Sequence, residues 1–548
     1  MEESDLIKQS FLIGLPGELV EKISTWLRKS DLKRFRLTCK AINEATLHHF
    51  RQRFFTKRFY MLNERSLNNL LEISQHPFLS RGVKTIGMMP YQVRKPRKPP
   101  IPDNQESLQW YDAYTRQELF LNRNQDRDML TEAFRNLPSL QKLLIAPGFW
   151  GKELFDIHEV KRCFGIAHLP VKKLQETSMD HCNRLFRTTI IAMIDAHTSP
   201  ACILATPSPV PGLYDSSFRL SMNSRPELSN SLRNLRTLHL ELDVWDERER
   251  KHDPSALEPT AGIMEPNHSL FAQKFLGSAP NLVKLRVSMQ EQEGNCCVDD
   301  QFISWFAQCP GTPPSGPTWG SNPKVAPIHF RFLTVLVLEC FKVSLENLKA
   351  LVVKVGPTLR RLRLGGFTLV CPEEAPQNTD APAGWSRIFR LLAHSSELES
   401  IQLTNLVSCY PRVNAIWYNV CCHEVPYFAG MRRLLGYHGI KSCVNVSYRG
   451  PDMEGFLENL ASNMTEGTPS QRHQHDFDNL GTDPCEMSDC ETDICDDDSS
   501  VDSDGEDEDG EGEEDDDNDE YDDEDSDEDN DEDNDEDEDD GDEAEEDI

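Results

Sequence analysis

Three groups of residues have types and spacings that could do chemistry. Cys421, Cys422, His423 and Glu424 run consecutively, and Cys485, Cys490 and Cys495 recur at five-residue intervals. Thiolates and an imidazole are ligands for a transition metal, yet neither group has the paired C-x-x-C spacing that builds a structural zinc site. The stretch GYHGIKS, from Gly436 to Ser442, places glycines near Lys441 but at the wrong spacing for backbone amides to cradle a phosphate. The sequence contains no Gly-x-Ser-x-Gly elbow, no Walker-type loop, no dinucleotide glycine fingerprint and no His-Glu-x-x-His. It therefore predicts no catalytic residue, no metal site and no cofactor: the chain reads as a protein that is not an enzyme.

Charge is distributed unevenly. The 548 residues carry a net charge of −36, but 38 Asp or Glu and no Lys or Arg lie between Asp496 and Ile548. With seven further acids between Asp476 and Asp493 set aside, the body up to His475 is mildly basic, at +9. A segment with so few apolar side chains cannot offset the entropy of ordering its backbone, so residues 465–548 are expected to form a disordered polyacidic tail. Such a tail raises solubility and can attract basic proteins such as histones. Ser488, Ser503 and Ser526 each precede an acid by three residues, and phosphate there would deepen a charge already present.

The start, MEESDLIKQS, has no basic region followed by a long apolar one, and runs such as TTIIAMI and LTVLVLECF are too short to span a bilayer. Cysteines such as Cys39, Cys202 and Cys340 sit in apolar stretches, as buried free thiols do in a reducing compartment. The expectation is an intracellular protein with no membrane partner and no direct nucleic-acid binding. It is cytoplasmic or nuclear, and Arg94, Lys95, Arg97 and Lys98 are a candidate import signal.

Two kinds of element must position whatever this chain binds. Residues 11–62 form a helical module. Pro16 suits a helix start, and Leu19, Ile23, Trp26 and Leu27 recur at helical spacing. Ser30 or Asp31 is the expected cap of a second helix carrying Leu32, Phe35 and Leu37. A third helix is expected from about Cys39, with Ile42, Thr46, Phe50 and Phe54 spaced by four. So small a module leaves apolar surface for a partner or the next domain.

Over residues 63–464 an amphipathic helical stretch, a break, and an L-x-x-L-x-L run recur. Strand cores are expected from Leu140, Leu235, Leu282, Leu333, Leu359 and Leu398, after intervals of 95, 47, 51, 26 and 39 residues. Stacked copies would bury both elements, with parallel strands on one side and helices on the other. Pro-rich stretches at 94–102, 198–212, 309–327 and 371–384 are expected to be exposed loops. The fold class is thus α/β: a three-helix module, an irregular leucine-rich-repeat-like solenoid and an acidic tail.

The opening block, LPGELVEKISTWLRKSDLKRFRLTCKAIN, resembles an F-box. The matching residues are Leu15, Pro16, Glu18, Leu19, Ile23, Leu27, Asp31, Leu32, Cys39 and Lys40, with Ile42 where the family usually has Trp. The layout is similar to F-box substrate receptors of the fungal type with degenerate repeats. The resemblance implies that Leu15, Pro16, Leu19, Ile23, Leu27, Leu32, Cys39 and Ile42 form the interface to a Skp-type linker, and through it to a cullin-RING ubiquitin ligase. The repeats and their loops would then hold an unidentified protein substrate. A histone-binding acidic leucine-rich scaffold is the alternative layout.

Overall fold

A computed structural model describes residues 15–96, 98–100, 104–145, 157–164, 174–175, 178–206, 212–220, 225–243, 270–289, 299–308, 328–370, 384–395, 397–404, 406–409, 418–421, 445–463 and 465–467. The chain divides into two units, 1–474 and 475–548, and every described residue lies in the first. The acidic run and Cys485, Cys490 and Cys495 therefore lie outside the described residues, as do His423 and Glu424 and the loops at 309–327.

The described residues form a mixed α/β fold with fifteen α-helices and one large, mostly parallel sheet. Its principal strands are β1 (Lys57–Met61), β2 (Thr85–Met89), β3 (Lys142–Ile145), β4 (Cys202–Ala205), β5 (Thr237–Asp243), β6 (Lys284–Met289), β7 (Val335–Glu339), β8 (Arg361–Gly365), β9 (Ser400–Thr404) and β10 (Asn445–Arg449). They stand in the sheet in chain order, each parallel to the one before, until β10 pairs antiparallel with β9. A short strand, Leu213–Tyr214, adds to β5.

The physical cause of this regularity is one repeated local pattern. Two residues before β3, β5, β6, β7, β8 and β9 stand Leu140, Leu235, Leu282, Leu333, Leu359 and Leu398, all buried. Alternate residues of each strand then face the helices. Leu238, Leu285, Leu336, Leu362 and Ile401 form one such row across the sheet, and Leu240, Val287, Leu338, Leu364 and Leu403 the next. Helices such as Glu64–Gln75, Gln125–Arg135, Met179–Asp195, Leu345–Val355 and Gly384–Ser395 cover this face, and one hydrophobic cluster runs continuously from Tyr60 to Ala461.

Two strands of the main sheet lie in segments that the sequence assigns to other structure. Residues 198–212 were expected to form a Pro-rich loop, but Cys202–Ala205 is a central strand with Ile203 and Ala205 buried. Pro200 is buried where six of the other strands have leucine, which hid the unit and produced the long interval after Leu140. Lys57–Met61, assigned to the helical block 11–62, is the first strand of the sheet.

After β7 and β8 the chain turns a corner into a second, five-stranded sheet. Its strands Lys342–Ser344, Thr368–Val370 and Val407–Cys409 are parallel; Tyr418–Cys421 and Thr465–Gly467 continue it antiparallel. The described fold thus runs three residues past the boundary expected at 464. Cys340 and Gly366 occupy the corner with φ of 59° and 56°. The next residues, Phe341 and Phe367, stack with ring centroids 6.0 Å apart, and Trp385 meets Phe367 edge-on.

The other face of the main sheet differs between its halves. At the N-terminal end, Met61 and Met89 are covered by the helix Gln105–Asn122, forming a smaller core with Val93, Ala113, Val160 and Phe164. Gly87 lies beneath the Phe59 ring, which comes so close that a Cβ would sit 2.1 Å from its Cδ1. From β5 to β9 the same face carries half-buried polar and charged residues.

No helix among the described residues is long and apolar enough to cross a membrane.

Candidate docking surface on the N-terminal helices

Four helices, α1 (Gly17–Thr25), α2 (Lys29–Arg36), α3 (Lys40–Ala45) and α4 (Leu47–Phe55), precede β1. The expected third helix is thus two segments that meet at Thr46. The amide of Thr46 donates to the Ile42 carbonyl at 3.0 Å and that of Phe50 to the Thr46 carbonyl at 2.9 Å, so helical bonding persists through the junction. The Thr46 hydroxyl donates to the same Ile42 carbonyl at 2.8 Å, a back-bond that bends helices.

Helix α1 starts at Pro16, whose carbonyl accepts from the amides of Leu19 and Val20. Helix α2 starts one residue before the expected cap, with Arg28 at the N-cap position and no side chain capping it. Asp31 instead sits in the first turn, where its carboxylate accepts from Arg28 Nε at 3.2 Å.

The interior of the module is small. Val20, Ser24, Leu32, Ile42 and Thr46 are buried. Ser24 satisfies its hydroxyl by donating to the Glu21 carbonyl at 2.6 Å. The Arg36 guanidinium lies 3.4 Å from the centroid of the Phe50 ring. Burial lowers the pKa of His49, with Arg53 the next cause, which favours the neutral imidazole. The module joins the sheet through α4: Arg51 Nη1 donates to the Phe78 carbonyl at 3.4 Å, and the guanidinium covers the Phe78 ring.

What the module leaves outside is apolar. Leu19 is 47 % exposed, Ile23 37 %, Trp26 82 % and Leu37 87 %. The first three lie along α1 and its C-cap, and Leu37 is the C-cap residue of α2. Of the residues the sequence put at an interface, Leu19 and Ile23 are thus on this surface, and Pro16 is exposed beside it. Leu15, Leu27 and Cys39 are half-buried. Leu32 and Ile42 are fully interior: they hold the helices together and cannot touch a partner in this arrangement. Trp26 and Leu37, the most exposed pair, were legible as apolar helix positions but not as outward-facing ones.

A second polar arrangement lies on the sheet face between β5 and β9, where sequence reasoning named no site. Glu339 of β7 accepts from Arg286 Nε at 2.9 Å and from the Ser288 hydroxyl at 2.7 Å, and its other oxygen is 3.1 Å from Arg363 Nε. Two guanidiniums therefore share one carboxylate. His239, beside Arg286 in register, has its pKa held well below the ordinary histidine range by burial and then by Arg286 and Arg363. The signal was the charged residue between the leucines of "KLRV" and "RLRL". Among the described residues, no cluster of His, Cys, Asp and Glu could hold a metal ion.

No family model matches the chain, and no curated protein matches it.

Proposed function

We propose that the chain is a substrate-recognition adaptor of an SCF-type cullin-RING ubiquitin ligase, with the N-terminal helices docking on a Skp-type linker and the leucine-rich-repeat-like solenoid holding the substrate. The observation that carries this reading is the unpartnered apolar surface of Leu19, Ile23, Trp26 and Leu37. Fully burying a large apolar side chain contributes about 1.5–3 kcal/mol. Surface of this kind suits the groove of a helical partner. Strands that follow one another across a mostly parallel sheet in chain order, six of them preceded by a buried leucine, support the solenoid half of the reading. On this reading the chain does no covalent chemistry. It raises the concentration of substrate near a ubiquitin-charged enzyme.

The test is copurification of the linker with the full chain, the Trp26→Asp/Leu37→Asp variant, and Leu32→Ala as a control. The double variant should lose the linker while its stability stays within about 0.5 kcal/mol of wild type, because both side chains are already in water. Leu32→Ala, with a cavity in the module, should lose about 3 kcal/mol locally. Wild-type chain that never captures the linker, yet captures histones unless residues 475–548 are removed, supports a histone-binding scaffold instead.

A further inference from the structure

On the face of the main sheet opposite the helix-covered core, the residues at one end of the strands, the first of β1 to β9 and the last of the reversed β10, form a single row in register. From β1 to β10 the row reads Lys57, Thr85, Lys142, Cys202, Thr237, Lys284, Val335, Arg361, Ser400 and Arg449. It holds five bases and no acid. Among the described residues no ion pair reaches Lys142, Lys284, Arg361 or Arg449, and Arg361 and Arg449 are exposed. The carboxylates of this face, Glu241, Asp243 and Glu339, stand at the opposite ends of their strands. Glu339 already holds Arg286 and Arg363. Across the C-terminal half the bases fall on alternate strands, β6, β8 and β10, separated by Val335 and Ser400.

We infer that this row is a docking surface for an extended acidic segment of a partner protein, crossing the strands with a carboxylate at every third position. Neighbouring strands are about 4.8 Å apart, so bases on alternate strands repeat every 10 Å or so. A polyproline II segment has three residues per turn and rises about 3.1 Å per residue. One residue in three therefore faces the sheet, at a repeat of about 9 Å, which matches the bases. A strand-like segment turns consecutive third residues to opposite sides and does not match. Nucleic acid fits less well: the row offers no aromatic side chain for base stacking, and a wide polyanion would overlie the carboxylates at the far strand ends. If the ligase reading holds, the bound segment belongs to the substrate, and the inference deepens that reading by naming the substrate's chemistry.

The experiment uses the full chain and a labelled peptide with Glu at every third position, read by fluorescence anisotropy at physiological salt. Lys284→Glu/Arg361→Glu should weaken binding about tenfold or more, and added salt should weaken the wild-type complex. A peptide of equal composition with its acids clustered should bind worse than the spaced one. This comparison needs only wild-type protein and holds if the variant folds poorly. Equal affinity for variant and wild type overturns the inference, as does equal affinity for the two peptides or tighter binding of a single-stranded oligonucleotide of the same charge. Linker capture by the same preparations separates the two readings. Capture without peptide binding sinks only the docking row, and peptide binding without capture sinks only the ligase assignment.

Discussion

His181 shows how one side chain can report on folding. It is 4 % exposed on the helix Met179–Asp195, and burial, with Arg184 beside it, lowers its pKa to about 4. In the unfolded chain it titrates near 6.5, so between these values the unfolded state binds the extra proton. The native state is therefore favoured above pH 6.5 and loses that advantage as pH falls toward 4. Between pH 7 and pH 5 this one group should remove about 2 kcal/mol of stability. Urea unfolding at the two pH values measures the loss, and His181→Leu should have the shallower dependence. An unchanged slope in His181→Leu would show that the imidazole protonates as freely in the folded chain. Sequence made the apolar run around this helix visible, but a single histidine in a run says nothing of its burial. The same limit hid the sharing of Glu339 by Arg286 and Arg363. Residue types fix which groups can pair, while strand register decides which ones meet.

Among the elements, the corner between the two sheets makes a sharper demand on the backbone. Cys340 and Gly366 both have positive φ, a conformation easy for glycine and strained for a side chain. A Cβ on Gly366 would also come within 3.1 Å of the Cys340 sulfur. Cys340→Gly should therefore stabilise the chain by about 0.5–1 kcal/mol, or at least cost nothing, and Gly366→Ala should destabilise it by 1 kcal/mol or so. Opposite shifts in the urea midpoint, with an unchanged slope, are the expected result. The strands flanking these corners were among the most legible elements. Each of Leu140, Leu235, Leu282, Leu333, Leu359 and Leu398 marks its strand start because a buried leucine two residues ahead anchors the turn into the sheet. Cys202–Ala205 escaped because Pro200 fills that anchor position, and proline beside serine and threonine reads as loop. The apolar spacing of α1 gave its helix and its apolar face, but not the inner one: Val20 and Ser24 point inward, and Leu19, Ile23 and Trp26 outward. A surface kept apolar for a partner has the same pattern as a core.

At the scale of the whole described unit, each internal strand of the main sheet pairs with a neighbour on either side, whereas β10 at its end has a partner on one side alone. Strand β10 and the helix Met453–Asn463 close that end. The Phe456 ring stacks on Tyr448 at 4.3 Å, and the Ser386 hydroxyl donates to the Ala461 carbonyl at 2.8 Å. Phe456→Ala should cost about 3–4 kcal/mol. Hydrogen exchange should show the loss concentrated in β9, β10 and the helix Gly384–Ser395, leaving β1 to β4 protected as in wild type. Uniform loss of protection would mean that the array unfolds as one cooperative block.

The reversal of β10 has a consequence for how copies of this molecule meet. A sheet whose every strand ran the same way would end on an edge like any internal seam, ready to accept the first strand of another copy and elongate into a fibril. Here a second copy could extend the parallel ladder only by turning its helical layer to the opposite side, forfeiting the helix stacking that supports each internal junction. An antiparallel addition in the same register would set Lys57 of the newcomer against Arg449 of the first, like charge against like. Both routes to growth are thus opposed by the last five residues of the sheet.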